Sequence, residues 1–138
     1  MEEKIVSFEV AKLAHILGFP QSYKDIQKAY TLDGCHLTID SCDGEYYKVF
    51  NEGEIVYNIS EYSLIIPAPT QSQMQKWLRD VKNIDINICR DYSEYRIDCI
   101  DSDLNKSFSK INGFMTYEYA LENAIIKSIK YLLYEKNN

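Results

Sequence analysis

The side chains best equipped for chemistry fall in one stretch: Asp33, Cys35, His36, Asp40, Cys42, Asp43 and Glu45. Cys35, His36 and Cys42 are three candidate zinc ligands. Zinc sites bring ligands in close pairs with a fourth nearby, whereas six residues separate these cysteines and no fourth ligand follows. Successive residues of a strand point to opposite faces, so Cys35 and His36 would not converge on one ion. The four acids suggest a calcium loop instead. With Gly44 as its sixth residue, Ile39 and Phe50 would hold the first and last ligand positions, and neither carries an oxygen. Solvated turn acids are the better account. A Cys–His nucleophile needs an imidazole beside a thiol with an orienting acid, and nothing places His15 near a cysteine. No glycine loop for phosphates and no G-x-S-x-G elbow occurs. The sequence therefore predicts no catalytic residue, no cofactor and no bound metal.

Bulk properties narrow the class. A chain of 138 residues suits one domain, 1–138, with 46% apolar and 26% charged residues. No apolar run approaches the roughly 18 residues that span a bilayer, and the acidic start Met1-Glu2-Glu3-Lys4 does not resemble a signal peptide. A cytoplasmic protein without a membrane partner is expected. Cys35, Cys42, Cys89 and Cys99 form no C-x-x-C pair and are expected as reduced thiols. The net charge of −6 lies wholly in residues 1–69, since residues 70–138 hold ten charges of each sign. An acidic half repels phosphate backbones. Twelve tyrosines are many for this length. They suit sheet faces first and a binding surface second.

The element most completely specified is a helix after Pro69. Thr70 and Gln73 form a capping box, Pro69 can staple onto Met74, and Asn83 suits the left-handed end. Met74, Trp77, Leu78 and Val81 fall on one apolar face, so the only Trp is expected in the core, against the final helix. Ahead of it, Ser7 caps a helix over Ser7–Leu17 that stops at Gly18-Phe19-Pro20, with Val10, Leu13, Ala14 and Leu17 buried. A second helical segment at Tyr23–Tyr30 resembles a helix-turn-helix, but it offers only Lys24 and Lys28 where a cationic recognition helix is needed. Residues 33–66 read as an antiparallel meander: His36–Asp40, a turn at Ser41–Gly44, Glu45–Phe50, Glu54–Ile59 and a possible fourth strand at Tyr62–Ile66.

After the Trp77 helix, Ile84, Ile86 and Ile88 alternate with polar residues. With Tyr92-Ser93 as the tip of a hairpin, Ile88 should face Ile97, Ile86 should face Cys99, and Cys89 should face Arg96. Ser107–Ile111 is a candidate third strand. Thr116 caps a last helix over Tyr117–Glu135, with Tyr117, Leu121, Ala124, Ile125, Ser128, Ile129 and Leu132 as its buried stripe. The fold class is therefore α+β, with antiparallel sheets and about three helices.

The second half, helix–strand–strand–(strand)–helix, resembles a double-stranded-RNA-binding domain in topology alone. Such domains carry lysines at the start of the last helix, where this chain has Met115-Thr116-Tyr117-Glu118-Tyr119. An acid and two tyrosines cannot grip phosphates. The polar face of the Trp77 helix, Ser72, Gln75, Lys76 and Arg79, is the candidate interaction surface; a plain solvated face is its alternative.

Three blocks are similar to a small family of uncharacterised phage and prophage proteins. They are Ile5–Ala14 with Gly18-Phe19, then Ala68–Ser72 with Gln75–Arg79 and Asn83–Ile86, then Thr116–Leu121. The resemblance implies a phage-derived protein of a bacterial host cell and assigns no catalytic residue. The expected function is a non-enzymatic module that binds a protein, with no nucleic acid and no membrane. A nucleic-acid module is the alternative and an enzyme of unknown type the third.

Overall fold

The computed structural model describes residues 3–20, 28–34, 36–43, 46–51, 54–59 and 65–136, and for 36–65 the backbone course alone. The protein is α+β and divides into two compact units, Ile5–Pro69 and a second made of Met1–Lys4 with Thr70–Asn138.

In the unit Ile5–Pro69, helix α1 spans Phe8–Leu17. The Ser7 side chain accepts from the Val10 amide at 3.3 Å, and Gly18 ends the helix at φ 107°, donating to Ala14 and His15. Val10, Ala11 and Ala14 are buried, while Leu13 and Leu17 are half-buried. The strands are β1 (Lys28–Thr31), β2 (His36–Asp43), β3 (Tyr46–Asn51), β4 (Glu54–Ile59) and β5 (Ile65–Pro67). They lie in the order β4-β3-β2-β1-β5.

Two expectations are corrected here. Residues 28–30 are extended in β1 and pair with both β2 and β5, so the helix expected over Tyr23–Tyr30 does not include them. Residues 23–27 lie outside the described residues. The last strand does not continue the meander; β5 pairs with β1, and Ser41–Asp43 belong to β2 instead of forming a turn. Bulges between Ile39 and Ser41 and between Val49 and Phe50 shift the register, which is why no clean period of two could be read there.

The described core of this unit is Val6, Val10, Ala11, Ala14, Phe19, Ala29, Ile66 and Ala68. Tyr30 ties it together, donating its hydroxyl to the Val6 carbonyl at 2.8 Å and setting its ring 5.3 Å from that of Phe8. The turn after β1 carries Gly34 at φ 97°, where a Cβ would sit 3.0 Å from the Phe8 ring. Gly34→Ala should therefore cost about 1–3 kcal/mol, from backbone strain plus the ring contact. Gly18→Ala, with open space at its Cβ, should cost less. Urea melts would compare the two; equal losses would remove the Phe8 contact from the account.

The other unit is built on α2 (Gln71–Lys82), strands β6 (Ile84–Asp91), β7 (Glu94–Asp101) and β8 (Lys106–Phe114), and α3 (Tyr117–Lys130). The capping box forms: the Gln73 amide donates to Thr70 Oγ1 at 3.1 Å and the Thr70 amide to Gln73 Oε1 at 2.9 Å. Asn83 closes the helix at φ 56°. The first turn is further held by Lys4 and Glu3, whose backbone oxygen and carboxylate accept from the Gln71 and Ser72 amides.

The hairpin has the expected register, with Ile86 opposite Cys99, Ile88 opposite Ile97 and Cys89 opposite Arg96. The third strand β8 pairs with β7, completing the order β6-β7-β8. Helix α3 packs on this sheet and α2 packs on α3 and β6. Met74, Trp77, Leu78, Ile84, Ile86, Ile97, Cys99, Leu121, Ala124, Ile125 and Ile129 are buried.

Three details differ from expectation. Val81 is 57% exposed, and Gln71 is buried in its place. The Gln71 amide donates at 2.9 Å both to the Glu118 carbonyl and to Glu122, docking the first turn of α2 on α3 and leaving its last turn uncovered. Tyr117, on the first turn of α3, is exposed and Leu132 is half-buried. The helix also changes pitch: Tyr131–Glu135 form a π-helical turn, closed by the Lys136 amide on the Tyr131 carbonyl at 2.9 Å.

Candidate interaction surface

The exposed large apolar side chains of the second unit concentrate where the β6–β7 turn, the end of β8 and the start of α3 meet. Tyr92 turns the hairpin at φ 58° and is 99% exposed. Met115, Tyr119 and Tyr117 follow β8 at 69%, 58% and 43% exposure. They share one end because of register and ring contacts. Tyr95 is opposite Phe114 across β7 and β8, its ring meets Tyr117 edge-on at 6.1 Å, and Phe114 meets Tyr119 at 5.7 Å. Thr116 fixes the turn into α3, its hydroxyl accepting from the Tyr119 amide at 3.1 Å.

Beside this patch lies a shallow cavity of about 220 Å³, walled by Tyr92, Tyr95, Arg96, Asp91 and Glu94 with Gly113 among its lining. Gly113 sits at φ 94° with nothing within 4 Å of its missing Cβ, so no side chain fills that part of the wall. Arg96 pairs with Asp91 at 3.4 Å. Arg90 lies over the Tyr95 ring at 6.0 Å and donates to the Tyr92 carbonyl at 3.1 Å. Pockets for whole small molecules run about 300–1,000 Å³, so this cavity fits a single side chain better.

The residues proposed from the sequence are placed differently. Ser72, Lys76 and Arg79 are exposed on α2, but Lys76 and Arg79 both lean on Asp80, at 3.8 and 3.3 Å. Gln75 is half-buried and donates to the Ile86 carbonyl at 3.2 Å, so it braces the helix against β6. The four do not converge on anything. The aromatic end carries a sequence signal, the tyrosines that stand where a phosphate-binding helix would carry lysines.

One buried polar cluster is also present. Asp101 is fully buried and accepts from the Tyr131 hydroxyl at 2.6 Å, from Lys136 Nζ at 3.3 Å and from the Asp103 amide at 3.0 Å. The wider π-helical turn sets Tyr131 and Lys136, five residues apart, on one side, so both reach the same carboxylate. Phe108 stacks on Tyr131 at 3.9 Å. Burial acts to raise the Asp101 pKa, but the bonds from Tyr131 and Lys136 outweigh it and hold the carboxyl below its usual value. Burial and the same carboxylate push Tyr131 up to about 12. Every group here is satisfied and enclosed, so the cluster fastens the end of the chain to the β7–β8 turn.

Chemistry elsewhere is sparse. Burial lifts the Cys99 thiol to about 11, which keeps it protonated, while Cys89 is exposed opposite Arg96. Cys35 and Glu45 lie outside the described residues. His36, Asp40, Cys42 and Asp43 are in β2, where the backbone alone is described. Asp33 is in the turn after β1, accepting from the Thr31 hydroxyl. No group of three His, Cys, Asp or Glu residues among the described residues is arranged to hold a metal ion. Among the same residues, no helix is long and apolar enough to cross a membrane. No protein-family model matches the chain, and neither a curated protein nor a solved structure is significantly similar to it.

Proposed function

We propose that this chain is a non-enzymatic protein-binding module of phage type, whose contact surface is the patch formed by Tyr92, Met115, Tyr117 and Tyr119. The observation that carries the reading is the gathering of these exposed side chains at one end. Tyrosine and methionine are enriched in protein interfaces, and scattered apolar residues would need no explanation whereas gathered ones do. The similarity of the Ala68–Ser72 and Thr116–Leu121 blocks to phage proteins supports the phage assignment, and with it a bacterial cytoplasm as the place of action. A nucleic-acid module is the second reading, favoured by the helix–strand–strand–strand–helix order of the unit. The charges weigh against it, because Glu118 stands where cations would have to neutralise phosphates.

Affinity capture from host lysate tests the choice, comparing the native chain with Tyr92→Ser/Tyr119→Ser. Both positions are exposed, so the variant should keep its stability within about 0.5 kcal/mol. A protein retained by the native chain should be lost from the variant and be indifferent to nuclease. Retention that survives the double substitution, or that nuclease abolishes, would overturn the proposal.

A further inference from the structure

We infer that the cavity at the β6–β7 turn receives a cationic side chain, an arginine or lysine, from the protein partner; this rests on the protein-binding reading above. The walls are suited to a cation. Tyr92 presents both faces of its ring to solvent at 99% exposure, and Tyr95 forms the opposite wall. A guanidinium or ammonium over such a ring is attracted by its electron-rich face. Arg90 already occupies that position over Tyr95, at 6.0 Å, which is the same contact made within the chain.

Charge points the same way. The groups bordering the cavity are Asp91, Glu94 and Glu118 against Arg90 and Arg96, which leaves one net negative charge. Both arginines are engaged, Arg96 by Asp91 and Arg90 by the Tyr95 ring and the Tyr92 carbonyl. Glu94 is the acid of the lining with no ion pair among the described residues. An incoming cation can therefore lie on Tyr92 and meet Glu94, whereas an incoming phosphate would meet that carboxylate. The chain as a whole, at −6, favours approach of a basic partner.

The test is a titration of the full, isotope-labelled chain followed by the amide signals of Tyr92, Glu94 and Gly113. The probes are Nα-acetyl-arginine amide, its neutral isostere Nα-acetyl-citrulline amide, and a short RNA duplex, at constant ionic strength. One ring contact and one exposed ion pair imply weak binding, so the small probes run to about 50 mM. Arginine should give saturable shifts confined to this end, with citrulline roughly two- to fivefold weaker or silent. Glu94→Gln, an exposed substitution, should remove that preference. Equal shifts with citrulline, a flat arginine titration, or RNA moving the same amides at lower concentration would overturn the inference. A flat titration alongside capture that still depends on Tyr92 and Tyr119 would sink the cation alone and leave the protein-binding reading in place.

Discussion

Trp77→Ala is expected to destabilise the second unit by about 3–5 kcal/mol, the largest single loss available in this chain. Trp77 is 4% exposed on α2, whose buried stripe of Gln71, Met74, Trp77 and Leu78 packs against α3 and β6. Truncation would remove the apolar contact and leave a cavity that a helix pinned at both ends cannot close. One end is pinned by the capping box, the other by Asn83 and the strand that follows it. Val81→Ala, four residues on and exposed, should cost less than about 0.5 kcal/mol. Urea melts would separate the two variants. A Trp77→Ala loss below about 1 kcal/mol would contradict the packing described here.

Asp101→Ala is expected to cost about 2–4 kcal/mol, because it strands the Tyr131 hydroxyl and removes the anchor of Lys136. Tyr131→Phe removes one of these bonds and keeps the Phe108 stack, so it should cost about 1–2 kcal/mol. The pH dependence follows from the signs of the shifts. The Asp101 pKa is lowered on folding, so its contribution is present above the usual carboxylate value near ~4 and is lost as acid passes through the folded value. Tyr131 and Lys136 are raised, so theirs are present below about 10 and fade through about 12. Removing Asp101 should flatten stability at both extremes. An unchanged pH profile in Asp101→Ala would show that the cluster carries no such weight.

How far the sequence foretold this structure depended on whether each signal was local. The α2 ends were readable because Thr70, Gln73 and Asn83 act within a turn of where they stand. The β6–β7 register was readable because three isoleucines at a period of two and a two-residue turn leave one alignment that covers them all. Strand β1 was not readable. Its four residues carry little pattern of their own and are extended because β2 and β5 hydrogen-bond to them on either side. The aromatic end was half-readable. Tyr117 and Tyr119 were visible as an unusual helix start, but their exposure depends on Tyr95 docking beneath the first turn. Gln75 shows the opposite error: its spacing put it on the polar face, and the carbonyl of Ile86 took it. The Asp101 cluster had no signature, since it exists because the last turn widens and brings Tyr131 and Lys136 round to one carboxylate.

The claim that this end of the molecule meets a protein is tested most directly by photo-crosslinking from inside the patch. A benzophenone amino acid placed at Tyr92 or at Tyr119 would be activated in host cells, with the same residue at exposed Lys110 on β8 as the control. The account predicts a discrete protein adduct from both patch positions, resistant to nuclease and absent from position 110. Adducts that nuclease digests, or crosslinking no stronger from the patch than from position 110, would contradict it.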